Sequence, residues 1–462
     1  MIPTSVREVA AAVGGTLVDV VDPDQVIVTS CVSDSRQAVP GALFVALSGA
    51  RVDGHQYAVA AQEAGAVAVL SSRPVGVASV VVDDVLLALG RLARAQLARL
   101  PHVTVVGITG SAGKTTTKDL LAELLATQGP TIAPPGSFNN ELGLPLTVLR
   151  ADADTRFLVL EMGARGAHHI AYLCDVAPPR IGVELMVGSA HVGEFGDRES
   201  IARAKAELVQ ALPADGIAVL NADDPAVVAM ADQATGRVLR FGQSPAADVR
   251  AEEVALGTDA RASFRLVTPD GDALVRLGLV GAHHVTNALA AAATAWVSGV
   301  TTDTIAELLT SARPLSRWRM EVTTRADGAV VINDAYNASP ESMRAALQTL
   351  KVVGAGRRTW AVLGEMLELG DAAVAEHDAI GRLVVRLDVD RLLVVGEGAK
   401  AMHLAAQMEG SWGRESEFVP DVAGAVDLLA REVRAGDVVL VKASRAAGLE
   451  RVAAALLDEV AA

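Results

Sequence analysis

Lysine is scarce in this chain: only six of the 40 basic residues are Lys, at positions 114, 118, 205, 351, 400 and 442. Arg and Lys differ in shape, hydration and the ease of losing a proton. A chain that otherwise uses Arg is expected to keep Lys where an ammonium or a free amine is required. Cysteine is rarer still. Cys31 and Cys174 stand far apart, which argues against a disulfide framework or a zinc site and fits a reducing cytoplasm. No apolar run approaches the roughly 20 residues of a membrane span. The start, Met1-Ile2-Pro3-Thr4 with Arg7 and Glu8 close behind, has neither the basic nor the apolar stretch of a secretory signal. These absences predict a cytoplasmic protein with no membrane insertion. Excess positive charge is missing too: a net charge of −15 argues against nucleic acid as a partner. It leaves room for a small anion in a local basic pocket.

What is present is ample apolar sequence, 51% of 462 residues, enough for two to four domains. Three α/β segments are expected. Residues 1–100 hold apolar runs at 42–47 and 66–70 around a helical pattern at 57–64, then a helix at 85–100 ended by Pro101. Residues 101–312 open on a buried-strand run at 103–108, a Gly-rich turn and a helix at 116–127. Strands at 157–160, 181–187 and 216–220, a hairpin-like stretch and an Ala-rich helix at 284–297 follow. This alternation predicts a doubly wound parallel sheet. Residues 313–462 alternate strands at 329–332, 359–363, 391–395 and 437–441 with helices at 340–350, 374–387 and 422–433, a second, Rossmann-like βαβ domain.

The turn at 107–118 reads Gly-Ile-Thr-Gly-Ser-Ala-Gly-Lys-Thr-Thr-Thr-Lys. Between a buried strand and a helix, the backbone of Gly110, Ser111, Ala112 and Gly113 can turn its N–H groups toward phosphate, and the helix N-terminus adds positive potential. Lys114 is expected to reach the β- and γ-phosphates and the Thr115 hydroxyl to ligate Mg²⁺. Strict Walker spacing requires Gly where Ile108 stands. The form Thr109-Gly110-x-x-Gly113-Lys114-Thr115-Thr116 resembles instead the loop of the Mur ligase family of ATP-dependent amide ligases. Taken alone, the loop leaves a kinase or GTPase as the rival reading.

The resemblance runs along essentially the whole chain, with its motifs in family order. Glu161 ends a predicted strand, and a carboxylate at the carboxyl end of a parallel strand lies where ligands bind and can hold Mg²⁺. The family implies the same role for Glu161, joined by His191 in 188–196 and by Lys205, carbamylated into a carboxylate-like ligand. Arg cannot undergo that change. The cofactors implied are ATP and two Mg²⁺ ions. The family also implies that Asn139 and Asn140 lie beside the phosphate and the substrate carboxylate, and that Asn287 contacts adenine. Arg317 is expected to reach the γ-phosphate, and Asp334 the ribose or phosphates, from the third domain, a reason for domain closure.

In the first segment, Ser33-Asp34-Ser35-Arg36 and Asp53-Gly54-His55 are similar to the family's uridine-nucleotide domain and are expected to bind substrate. In the third, Asp334-Ala-Tyr336-Asn337-Ala-Ser-Pro-Glu-Ser342 resembles the branch that adds a D-Ala-D-Ala dipeptide. The Asp-Asn-Pro-Arg motif of the diaminopimelate-adding branch is missing. Tyr336, Asn337 and Ser342 are therefore expected at the substrate. The resemblance implies a monomer that joins D-Ala-D-Ala to UDP-MurNAc-tripeptide through an acyl phosphate, in peptidoglycan precursor synthesis. The alternative is a paralogue that ligates another amine. A nucleotide-binding regulator without catalysis conflicts with the retention of Lys114, Glu161, His191 and Lys205. Four positions depart from the family pattern: Glu184, which interrupts an apolar strand, Met186 and Ser339, both where Asn is expected, and His168, where Gly is expected.

Overall fold

The computed structural model describes residues 1–49, 52–188, 192–410 and 415–458. Three large α/β sheets follow one another along the chain. The first has five strands in the order Thr16–Val18, Ser79–Val81, Ala66–Ser71, Ala42–Val45, Ser30–Val32, and Thr16–Val18 is its antiparallel member. The expected helix at 57–64 is a 3₁₀ turn, Gly54–Tyr57, running into a short helix, Ala58–Glu63. The helix Val85–Ala98 is apolar on the side that meets both this sheet and the next segment. One core cluster accordingly runs from Val6, Leu43, Leu70 and Leu89 into Leu144, Leu158, Leu160 and Ile170. The first two segments are fused through shared apolar packing.

The second sheet has nine strands. At its centre Thr104–Thr109 lies between Ile181–Glu184 and Phe157–Glu161, all three parallel. Register pairs Glu184 with Thr109 and Glu161 with Ile108. Both acids and the phosphate turn thus leave the same carboxyl edge, where open α/β sheets bind ligands. The strand expected at 181–187 stops at Glu184. Beyond it the chain peels away: the Leu185 carbonyl accepts from Asn221 Nδ2 at 2.7 Å and the Met186 carbonyl from Ser111 N at 2.9 Å.

The hairpin-like stretch is three long antiparallel strands, Val249–Leu256, Arg261–Thr268 and Gly271–Val280, which extend the same sheet. Arg261–Thr268 alternates buried and half-buried residues throughout, the pattern of a strand with one covered face. The Ala-rich helix His284–Val297 covers that face with nearly every residue buried.

The third sheet is parallel except at one edge: Glu321–Thr324, Val330–Asn333, Val438–Lys442, Thr359–Leu363, Arg391–Val395, Ser416–Val419. Its two faces carry separate core clusters that contain no residue of the first two segments. The third segment instead meets the second through polar and backbone contacts. Gly193 N donates to Glu368 O at 3.1 Å, and a side chain at Gly188 would strike the Glu341 carboxylate at 2.8 Å. No helix among the described residues is long and apolar enough to cross a membrane.

Candidate active site

The carboxyl edges of the second and third sheets face each other across a cleft of ≈ 680 Å³. On one wall, Ser111 to Thr116 form the turn into the helix Lys114–Ala126. Gly113 has φ +87°, and a Cβ there would lie 2.3 Å from Asn287 Oδ1. Only glycine lets the turn close this tightly against that side chain. Asn287 is in turn held by His284, Nδ2 to Nδ1 3.1 Å. The half-buried Lys114 folds back and donates to Gly110 O at 2.6 Å. Burial lowers its pKa, as does the neighbouring Arg319, against the opposing pull of Glu161 and Glu184.

Glu161 is fully buried. Its Oε2 accepts from Ser137 Oγ at 3.1 Å and from Asn139 Nδ2 at 3.5 Å, while Oε1 has no partner. A buried carboxylate oxygen without a donor is costly, and a divalent cation is the chemistry that satisfies it. Asn139 and Asn140 both line the cleft. Asn140 also braces the start of the helix Gly143–Val148, its Oδ1 accepting from Gly143 N at 2.9 Å.

From the opposite wall come Asp334, Tyr336, Asn337 and Ser342. Asp334 follows the strand Val330–Asn333, and Lys442 ends its parallel neighbour Val438–Lys442. Lys442 Nζ donates to Asp334 Oδ2 at 2.6 Å and to Asn337 O at 2.8 Å, and Met320 N donates to Asp334 Oδ1 at 3.1 Å. Ser342 serves the fold as well: with Ser339 it makes the capping box of the helix Pro340–Val353.

The arginine expected to reach across is displaced by two residues. Arg317 is exposed and lies outside the cleft lining. Arg319 lines the cleft, with Nη2 3.0 Å from Thr115 Oγ1 and its guanidinium 4.3 Å from the Tyr336 ring. The reason is backbone: Trp318 at φ +60° and Met320 at φ +48° turn the intervening side chain inward. Spacing alone offered no signal for this, because two arginines at i and i+2 are equivalent candidates until the local backbone is known. His283, also unnoticed as a site residue, lines the cleft with Nδ1 buried and unpartnered. Burial holds its pKa down to about 4, so the ring is neutral.

Lys205 is buried on the helix Arg198–Gln210 and lies within electrostatic reach of Glu184 and Lys114. Burial, and then Lys114, push its pKa well below the ordinary lysine value. Glu184 is fully buried with neither oxygen hydrogen-bonded, and burial drives its pKa well above the carboxylate range. Burial disfavours the charged form of each group, and their mutual attraction opposes that effect. His191 lies outside the described residues.

The other departures have local reasons. Met186 contributes its carbonyl to Ser111, which any residue could do, and also lines the cleft. Ser339 caps a helix as Asn would. His168 occupies a left-handed position, φ +67°, where Gly is easiest, with its N–H on Glu207 Oε1 at 2.6 Å.

None of the first-domain residues lines this cleft. Asp34 pairs with exposed Arg36 at 2.7 Å and accepts from Arg36 N. Ser33 and Ser35 flank that turn, with Ser35 opening its 3₁₀ helix. Asp53 caps the turn that begins at Gly54, accepting from His55 N at 3.1 Å. It also pairs with Arg73 at 2.5 Å and His55 Nδ1 at 2.6 Å, which together hold its pKa well below the usual range.

Comparison with known proteins converges on one family. The Mur ligase family catalytic domain matches residues 28–110, the Mur ligase middle domain 108–295, and the Mur ligase glutamate ligase domain 318–445. The chain belongs to the Mur ligase family. It is 52% identical to the UDP-N-acetylmuramoyl-tripeptide--D-alanyl-D-alanine ligase of Mycobacterium tuberculosis, covering 99% of this chain and 98% of that one. The Escherichia coli ligase of the same name is 34% identical over 92% and 93% of the two chains. Among solved structures, MurF from Acinetobacter baumannii matches with TM-score 0.87 at 32% identity, covering 99% of each chain. MurF from Thermotoga maritima in complex with ADP matches with TM-score 0.79 at 31% identity, over 94% of this chain and 98% of that one.

Proposed function

We propose that this chain is an ATP-dependent ligase joining D-Ala-D-Ala to UDP-MurNAc-tripeptide, giving UDP-MurNAc-pentapeptide, ADP and phosphate, as a cytoplasmic monomer. The observation that carries the reading is the pairing across the cleft. A phosphate-binding turn on one domain meets Arg319, Asp334 and Lys442 on another, in a chain about half identical to ligases of that name. Those relatives favour this reading over a ligase for a different amine.

In the sequence of steps we assign, the tripeptide carboxylate attacks the γ-phosphate, forming an acyl phosphate and releasing ADP. The dipeptide amine then attacks the acyl carbon, and phosphate leaves from the tetrahedral intermediate. The protein contributes mainly position and charge. Lys114 and Arg319 neutralise the transferring phosphoryl group from opposite walls, and Asn139 and Asn287 orient the two ends of the nucleotide site. Thr115 Oγ1 and the unpartnered Glu161 Oε1 suit Mg²⁺, with His191 and a carbamylated Lys205 completing the set expected for two ions. Mg²⁺ there supplies compensation of phosphate charge. Lys205 suits carbamylation because burial favours its free amine. Labour divides as residues 1–100 for the uridine nucleotide, 101–312 for ATP and 313–462 for the amine substrate.

The test is ADP release with purified protein, ATP and Mg²⁺, each substrate supplied alone and then both together. The reading requires release that depends on both substrates and a product of pentapeptide mass. Absence of turnover with the pair overturns it.

A further inference from the structure

Arg319 and Tyr336 belong to a longer stack. The Tyr336 ring lies against Trp318, ring centroids 6.5 Å apart with planes 29° from parallel. The guanidinium of Arg445 sits 4.2 Å from the Trp318 ring. The order is guanidinium, phenol, indole, guanidinium. One end, Arg319, is bonded to Thr115 of the phosphate turn. The other, Arg445, lines the same cleft beside Ser444 and Asn337 and is steadied by Glu450 at 2.6 Å.

Trp318 itself does not line the cleft. Its backbone is held in the left-handed region at φ +60°, a conformation that costs a bulky residue energy and persists only when its surroundings impose it. The Trp318 carbonyl accepts from Tyr336 N at 3.2 Å, which fixes the indole against the strand end that carries Asp334.

We propose that Arg445 receives the carboxylate of the incoming dipeptide and that Trp318 is the positioning residue that holds the guanidinium for it. This deepens the ligase reading above and rests on it. The dipeptide brings an amine to the acyl carbon and a carboxylate that needs a cation. Among the described residues, the other Lys and Arg side chains of the cleft are bonded elsewhere or stand on the opposite wall. Lys114 and Arg319 stand at the phosphate turn, and Lys442 is committed to Asp334 and Asn337 O. Arg165 belongs to the opposite wall, in the segment that follows Glu161. Arg445 lines the cleft from the third domain and, although paired with Glu450 at 2.6 Å, keeps its side chain 51% exposed, which leaves part of the guanidinium edge open to a ligand. A planar guanidinium backed by an aromatic face presents its edge to a carboxylate in a bidentate fork.

The test compares D-Ala-D-Ala with D-alanyl-D-alaninamide, which keeps the amine and lacks the charge, in the wild type and in Trp318→Leu, Trp318→Phe, Arg445→Lys and Arg445→Met. The wild type is expected to prefer the carboxylate in kcat/KM. Arg445→Met should erase most of that preference, a loss on the order of 30-fold or more for a charge-assisted pair. Arg445→Lys should keep part of it. Trp318→Leu should lower it roughly fivefold, and Trp318→Phe should restore it, because a phenyl face still supports the guanidinium. The KM for ATP should stay within about twofold of wild type throughout. Equal preference in the wild type and Arg445→Met overturns the carboxylate assignment. Loss of preference in Arg445→Met but not in Trp318→Leu overturns the role of Trp318. A wild type inactive with both dipeptides refutes the ligase reading instead.

Discussion

Arg319 Nη2 donates to Thr115 Oγ1 at 3.0 Å across 204 residues of sequence, so a guanidinium of the third domain reaches a hydroxyl of the phosphate turn across the cleft. Arg319→Ala is expected to lower kcat by roughly 100- to 1000-fold, the cost of removing one donor aimed at developing charge. Arg317→Ala, at an exposed position, should stay within about twofold, as surface substitutions do. Steady-state kinetics on the two proteins decides between them. An inactive Arg317→Ala with an active Arg319→Ala reverses the assignment made above.

The case for Lys205 rests on a free amine. Burial holds this lysine well below its ordinary pKa, and a neutral amine is the form that adds CO₂. Lys205→Ala should lose at least about 100-fold in kcat, and acetate or another short carboxylic acid should restore part of the loss. Lys205→Arg should be as inactive as Lys205→Ala, since guanidinium forms no carbamate. Full activity of Lys205→Ala without any added acid sinks the proposal.

Much of this was legible in the lysines. Lys118, Lys205 and Lys442 are buried, where a compact ammonium differs most from a guanidinium. Lys118 shares its ammonium among Asp119 Oδ1 at 2.6 Å, Pro134 O at 2.7 Å and Gly136 O at 3.1 Å, a convergence on a compact point charge. Lys351 and Lys400 are half-exposed partners of Asp388 and Glu397, where Arg would serve as well. The parallel strands were legible because burial on both faces leaves continuous apolar runs. The strands at 249–280 were legible only as a hairpin-like stretch: Arg261–Thr268 alternates cleanly, but Val249–Leu256 ends on exposed residues that blur its pattern. Arg319 was hidden for a different reason: the sign of φ at Trp318 and Met320 is a consequence of packing against Asp334 and Tyr336, and local sequence does not encode it.

Glu184 tests the cost of a buried acid. Its folded pKa lies well above the ordinary 4.5 through burial, so between 4.5 and that raised value the folded state holds more protons than the unfolded state. Stability therefore falls as pH rises through that window. Glu184→Val, matching its apolar strand neighbours, should remove this slope and add about 1–3 kcal/mol near neutral pH. Thermal melting across pH 4 to 8 reads both effects. A variant that melts lower than wild type at pH 7, or keeps the same slope, shows that Glu184 gains a partner in solution.

Gly113 separates two costs that glycine substitutions usually mix. Gly113 and Gly356 both have positive φ, +87° and +74°, but a Cβ at Gly113 would meet Asn287 Oδ1 at 2.3 Å, whereas one at Gly356 has nothing within 4 Å. Gly356→Ala should cost about 1–2 kcal/mol of left-handed strain and leave the KM for ATP unchanged. Gly113→Ala should carry the same strain and also push Asn287 off its bond to His284, raising the KM for ATP roughly tenfold or more. Adding Asn287→Ala to Gly113→Ala relieves the clash without restoring the amide. The double variant should therefore recover the stability lost to the clash, keep the cost of left-handed strain, and leave the KM high. If the KM for ATP instead returns to the wild-type value, Asn287 has no part in holding the nucleotide and the glycine acts through the turn alone.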